Sequence, residues 1–231
     1  MDAASDRPAA ASPLHDADRL ADLLATVAED CPRVARALAE VGPPAPRVRP
    51  AGFGSLLRII IDQQVSTAAG AAIWDKTVAA FDGAGPTPEA VVAASEETLT
   101  ACGLSRPKRR YVRALAERIV DGRLDVDALA DAPDDAVRAA LSPVPGIGPW
   151  SIDIYLLFCL GRTDVWPAGD LALQAACHAL HDLPARPDAK AMTPLAEAWR
   201  PWRGAVALLL WRWYGRMLKP GGGGVPMAGG G

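Results

Sequence analysis

The chain has 231 residues, half of them hydrophobic, and a formal charge of −3. That length holds one substantial domain, or two small lobes sharing a core, and the apolar fraction is ample to fill it. The near-neutral balance excludes a strongly cationic nucleic-acid binder while leaving room for local basic surface.

Cys31, Cys102, Cys159 and Cys177 form no CxxC pair and no set spaced for zinc or an iron–sulfur cluster, so free buried thiols in a reducing compartment are expected. The first residues carry no basic segment followed by an apolar one, and no apolar run is long enough to span a bilayer. A soluble, cytoplasmic protein is expected. Residues 1–15 are small, polar and proline-containing and read as disordered. The tail from Lys219, "KPGGGGVPMAGGG", reads as flexible.

Between these ends the pattern is helical. "DADRLADLLATVAED" places Leu20, Leu23, Leu24 and Val27 on one face, and "PRVARALAEVG" closes at Gly42. A proline-rich connector, "GPPAPRVRP", leads into what reads as one long apolar helix over residues 53–81. Thr87 and Ser95 are N-cap candidates for two short helices, the first with Pro88 at its opening position. "RPKRRYVRALAERIVDG" is a basic amphipathic helix that puts Arg106, Arg109, Arg110 and Arg113 along one face. Such a run is by default solvated, with phosphate contact as the functional reading. Two short helices, "DVDALAD" and "PDDAVRAAL", precede residue 141. Beyond the hairpin described next, "DLALQAACHALHDL" and the tryptophan-rich "WRPWRGAVALLLWRWYGRML" are helical, with a few extended residues around "TDVW". The expected fold class is all-α, many short helices joined by tight turns.

The stretch "LSPVPGIGPWSIDIYLL" sets Gly146 and Gly148 one residue apart, directly ahead of a helix. Glycines let main chain approach a ligand, and a helix N-terminus offers unpaired N–H donors, so the pair suits a phosphate clamp without lysine or arginine. A plain helical corner is the alternative. About twenty residues on, "DVWPAGDLALQ" passes through Pro167 and Gly169 to Asp170, which opens a helix and on its own reads as an N-cap.

A PGIG hairpin followed at that distance by P-x-G-D resembles the helix-hairpin-helix DNA glycosylases, and within them the 3-methyladenine DNA glycosylase II family. "IIDQQVSTAAGAAI", "PGIGPWSIDIYLL" and "WRPWRGAVALLLW" carry the resemblance, which extends over most of Phe53 to Trp213. It implies a compact member without the N-terminal β-rich domain that some relatives carry. Two helical lobes would flank an active-site cleft, one from about residues 53–165 and one from the N-terminal helices plus residues 170–218. The partner would be damaged double-stranded DNA, bound by a monomer.

The resemblance assigns Asp170 as the carboxylate that steadies an oxocarbenium-like sugar, with Asp62 read as surface and Asp153 as a supporting polar group. Schiff-base-forming relatives place a lysine two residues after the second hairpin glycine. Trp150 stands there instead, which implies hydrolysis without strand nicking. Trp150 and Trp211 match aromatic base-pocket positions, suited to a cationic methylated base. Relatives often carry tyrosine at the position of Ile154, and Tyr155, one residue later, is the nearest pocket candidate. Trp74, Trp166 and most C-terminal tryptophans read as core. Gln64 aligns with the wedge that fills the space left by a flipped base, with a solvated or helix-capping glutamine as the alternative. Pro145, Gly146, Ile147 and Gly148 would meet DNA. The main-chain carbonyls of Val144 and Ile147 would hold a monovalent cation, and no other cofactor is implied. His178 and His181 lack further ligands for zinc. Two other readings stay open: a non-catalytic DNA-binding module, and a glycosylase for deaminated or oxidised bases.

Overall fold

The structure, a computed structural model, describes residues 12–81 and 85–218, and the glycine-rich tail lies outside the described residues. The described residues are helical with no strand. Three helices are apolar nearly all round and fill the interior, the expected fate of helices without a polar face. They are α3 (Phe53–Asp62), α9 (Pro149–Phe158) and α12 (Arg203–Trp213). Residues 204–211 of α12 are all buried, and each fully buried leucine among them contributes about 1.5–3 kcal/mol.

Amphipathic helices wrap this interior in two groups. α1 (Ala17–Asp30) and α2 (Pro32–Val41) bury Leu20, Leu24, Val27, Val34, Ala37 and Val41, and pack on each other and on α12. α10 (Leu171–Leu180) packs on α12 as well, and α11 (Ala189–Leu195) packs on α10. In the other group α3 lies against α4 (Thr67–Ala80), α7 (Arg106–Val120) and α9. α5 (Pro88–Ala93) and α6 (Glu96–Ala101) pack on α7, while α8 (Asp134–Leu141) packs on α9. Thr87 and Ser95 cap α5 and α6 through their hydroxyls, accepting from Ala90 N at 3.2 Å and Thr98 N at 3.1 Å.

Several expectations from sequence are corrected. The long helix over 53–81 is two helices, broken at residues 63–66. Ser66 caps α4, and Gln64 adopts a left-handed φ of 55°. Residues 12–15, read as part of a disordered end, are ordered. Pro13–His15 make a 3₁₀ turn that buries Leu14, and the Ser12 hydroxyl donates to the Gly161 carbonyl. The "TDVW" stretch forms a turn, because Asp164 is held by both Arg200 and Arg203 at 2.6 Å. α11 has no counterpart in the sequence reading: its proline and short length hide the helical period.

Asp62, expected at the surface, is buried at 5 % exposure. Both its oxygens accept from Arg58 Nε at 3.0 Å, one turn earlier on α3, and Oδ2 lies 3.3 Å from Arg49 on the connector. α4 crosses close above it: a Cβ at Gly70 would stand 2.5 Å from Asp62 Oδ1, so only glycine fits. Lys108 of α7 donates to the Ile61 carbonyl at 2.6 Å, satisfying an orphan acceptor at the end of α3. This buried cluster fixes where α3 stops and hence where Gln63 and Gln64 emerge. Asp62→Ala leaves two arginines without their carboxylate, with an expected loss of about 3 kcal/mol. Thermal unfolding should fall by roughly 6–12 °C for a domain of this size. Scanning calorimetry showing a change under 2 °C would refute the assignment.

Candidate active site

The hairpin between α8 and α9 is built from consecutive short turns. Val144 N donates to Leu141 O at 3.0 Å, and Ile147 N to Val144 O at 3.0 Å. Val144 and Ile147 are buried and anchor the bend, while Pro145 and Gly148 stay exposed. The two glycines serve different ends. Gly146 has φ +84°, and a Cβ there would meet the Tyr111 ring at 2.4 Å, so its identity is dictated by the fold. Gly148 is extended, with φ −96°, and nothing lies within 4 Å of its would-be Cβ. It is the N-cap of α9 and offers no capping side chain, so the first-turn amides of α9 open outward.

Gln63 links this hairpin to the end of α3. Its Nε2 donates to the Gly146 carbonyl at 2.7 Å and to Ser151 Oγ at 3.0 Å. Neither Gln63 nor Tyr111 is a site residue in the sequence reading, since both act through contacts distant along the chain. With Gln64 and residues 142–148 they line a hollow of about 510 Å³. Gln64 is exposed on its rim, and left-handed backbone at a non-glycine residue is a form of strain that clusters at functional sites. The Val144 carbonyl keeps one lone pair beside its bond to Ile147, so as a donor it is compatible with a monovalent cation.

Asp170 lies at the start of α10, positioned by a turn in which Asp170 N donates to Pro167 O at 2.9 Å and Gln174 Nε2 to Ala168 O at 3.0 Å. Its carboxylate is 7 % exposed and receives four N–H donors. Oδ1 accepts from Ala172 N at 2.9 Å, Leu173 N at 3.0 Å and the Trp211 indole at 3.0 Å. Oδ2 accepts from the Trp150 indole at 2.9 Å. All four partners are donors, the complement of an acceptor-only carboxylate at a helix N-terminus. Trp150 comes from α9 and Trp211 from α12, so one side chain joins both helical groups. Trp150, half-buried, is the outer of the two; Trp211 is buried and packs on Phe158 at 5.6 Å.

Helix periodicity sorts the remaining residues of α9. Trp150, Ile154 and Phe158 recur every four residues and share a face. Tyr155 is about 100° away, fully buried, with its hydroxyl accepting from Gly52 N at 3.0 Å at the start of α3. The expectation of Tyr155 in the base pocket is therefore corrected: it braces α3. Burial pushes its hydroxyl up to about 12. Trp166 and Trp199 pack edge to face at 5.3 Å, and Trp74 lies under Arg58 at 5.4 Å.

Asp153 on α9 pairs with Arg138 on α8 at 2.7 Å, tying together the two helices that flank the hairpin. Burial raises its carboxyl to about 6, with Arg138 opposing the shift. The basic run of α7 divides. Arg109 donates to Glu96 at 2.9 Å and to the Leu104 carbonyl at 2.8 Å, and Arg113 donates to the carbonyls of Val92 at 2.9 Å and Ala94 at 3.0 Å. Arg106 and Arg110 remain exposed.

Two tests follow from this geometry. Gly148→Ala should melt like the parent yet bind duplex DNA several-fold more weakly. Gly146→Ala should cost at least about 1–2 kcal/mol from backbone strain alone. Equal melting of the two variants would contradict this division. For Asp153, the folded carboxyl titrates near 6 against an ordinary 3.8, so the folded state holds the extra proton between those values. Stability from this group is thus present at low pH and lost as pH rises through that window. In Asp153→Asn the melting temperature should gain on the parent between pH 4 and pH 7; a constant difference would rule this out.

Residues 57–201 match the family model described as HhH-GPD superfamily base excision DNA repair protein. The chain is 30 % identical over 162 residues to DNA-3-methyladenine glycosylase 1 of Schizosaccharomyces pombe, covering 69 % of this chain and 71 % of that protein. The solved structure of the 3-methyladenine DNA glycosylase of that yeast, in complex with abasic DNA, superposes with a TM-score of 0.77 at 26 % identity, covering 83 % of this chain and 95 % of that one. A DNA-3-methyladenine glycosidase from Bacillus halodurans gives 0.73 at 30 % identity over 86 % of this chain and 91 % of its own. With the hairpin and the Asp170 turn inside the matched region, the chain belongs to the HhH-GPD superfamily of base excision DNA repair proteins.

Proposed function

We propose that this protein is a monofunctional DNA glycosylase that hydrolyses the N-glycosidic bond of alkylated bases, 3-methyladenine and 7-methylguanine among them, in duplex DNA. The observation that carries this reading is the Asp170 carboxylate, held at a helix N-terminus by two indoles from opposite helical groups. The relatives named as 3-methyladenine glycosylases support the substrate class.

The outward amides at Gly148 and the start of α9 grip a phosphate, with Arg106 and Arg110 adding basic surface. Val144 and Ile147 would hold a monovalent cation at the bend through their carbonyls, and it would add positive charge for the same phosphate. Gln64 enters the stack as the modified nucleotide leaves it, and its amide pairs with the orphaned base. The extruded base lies against the half-buried Trp150, whose ring attracts a cationic base by about 0.5–2 kcal/mol, while the buried Trp211 holds Asp170. As the C1′–N bond lengthens, positive charge grows on the sugar and Asp170 stabilises it. Water adds to C1′, leaving an abasic site. To admit the sugar, Trp150 releases Oδ2, while the three donors on Oδ1 keep the carboxylate aimed. With tryptophan at position 150 no amine attacks C1′, and the strand stays whole. No helix among the described residues is long and apolar enough to cross a membrane. We place the enzyme in the cytoplasm, with access to DNA.

Single-turnover release of 7-methylguanine from a defined duplex tests this. Asp170→Asn, which keeps a capping oxygen, should slow release by roughly 10²–10³-fold, and the parent should yield no strand break before alkali. Equal rates for parent and variant would leave only a DNA-binding module.

A further inference from the structure

Gln63 stands where the end of α3, the hairpin and α9 meet, and both protons of its amide are used there. Nε2 donates to the Gly146 carbonyl of the hairpin at 2.7 Å and to Ser151 Oγ of α9 at 3.0 Å. A carbonyl only accepts, so the amide has one orientation. The backbone of Gln63 has already left α3, with ψ 131° and a long bond of 3.4 Å from its N to the Ile60 carbonyl. The next residue is Gln64, whose left-handed φ of 55° is disfavoured for any residue with a Cβ. The helix no longer holds the chain at this point, and the Gln63 amide does.

α7 also joins the end of α3 to the hairpin. Lys108 donates to the Ile61 carbonyl at 2.6 Å, and one turn further the Tyr111 ring lies against Gly146. These two elements are therefore held together without Gln63, and the fold should survive its loss. What the amide adds is direction. Through Ser151 it reaches the first turn of α9, where the neighbouring Trp150 donates to Asp170 Oδ2 at 2.9 Å. Two hydrogen bonds and two peptide links thus connect the exposed Gln64 to the carboxylate. A nucleotide displaced by Gln64 meets Asp170 in register only if that separation is fixed, because a misplacement of about 1 Å costs roughly 10²-fold in rate.

We propose that Gln63 is a positioning residue: its amide couples the wedge at Gln64 to the helix whose indole holds Asp170, so that extrusion of the damaged nucleotide delivers C1′ to the carboxylate. This rests on the glycosylase reading above. The test is a double-mutant cycle on single-turnover release of 7-methylguanine, with affinity for an undamaged duplex measured alongside by fluorescence anisotropy. Gln63→Met keeps the length of the side chain and removes both donors. Alone it should slow base release by roughly tenfold to a hundredfold, the effect of two lost hydrogen bonds. Affinity for the undamaged duplex should change by less than about threefold, since phosphate contacts supply it. In a Gln64→Ala background the same change should slow release by less than about threefold, because the residue it positions is gone. Ser151→Ala removes one of the two partners and leaves Gln63 in place. It should slow release by roughly threefold to tenfold, and it carries the cycle if the methionine variant does not fold. Equal losses with and without Gln64 overturn the proposal, as does a fall in duplex affinity that matches the fall in rate. A parent that releases no base overturns the glycosylase reading itself, and the proposal with it.

Discussion

The arrangement turns on one carboxylate shared by two halves of the molecule. Asp170 caps α10 through two backbone amides and accepts an indole N–H from α9 and another from α12. A buried charge is tolerable only when its acceptor sites are filled, and here donors from separate helical groups fill them. The same four bonds that make Asp170 compatible with burial also fix its direction. The two tryptophans position the carboxylate, the buried Trp211 from α12 and the half-buried Trp150 from α9.

A parallel economy runs through the hairpin. Gly146 is a fold requirement, imposed by left-handed backbone and the Tyr111 ring, whereas Gly148 faces open space at the mouth of α9. Gln63 joins the hairpin carbonyl to the end of α3, so the candidate wedge at Gln64 is tied to the hairpin. Behind them, Asp62 and its two arginines set the point at which α3 ends. The strained backbone at Gln64 is thus held from both sides, by the hairpin and by a buried ion cluster. Such over-determination lets a sparsely populated conformation persist.

The charge distribution follows from what is already paired. Of the four arginines at 106, 109, 110 and 113 on α7, two are spent on Glu96 and on the carbonyl ends of neighbouring helices, and two stay exposed. Arg47 on the connector is partly buried, its Nη1 covered and without an acceptor, and Asp170 favours its charge.

The sequence alone determined the helical class, the hairpin, the capping residues and Asp170 at the head of its helix. Each depends on residues within one or two turns: apolar periods, Ser, Thr or Asp before a helix, and glycine at a bend. Tertiary structure decided what those signals do not encode. An unbroken apolar pattern over 53–81 hid the break at Gln63–Ser66, because the break is set by Lys108, Gly70 and the hairpin carbonyl of Gly146, all distant or across a helix contact. Asp62 read as surface because its second arginine lies on a connector with no periodicity. Tyr155 read as a pocket residue because one position in sequence is a small step, while one position on a helix is about 100° of rotation, enough to turn its ring from the site to the core. The partners of a buried polar group come from wherever the chain returns, and no local spacing records them.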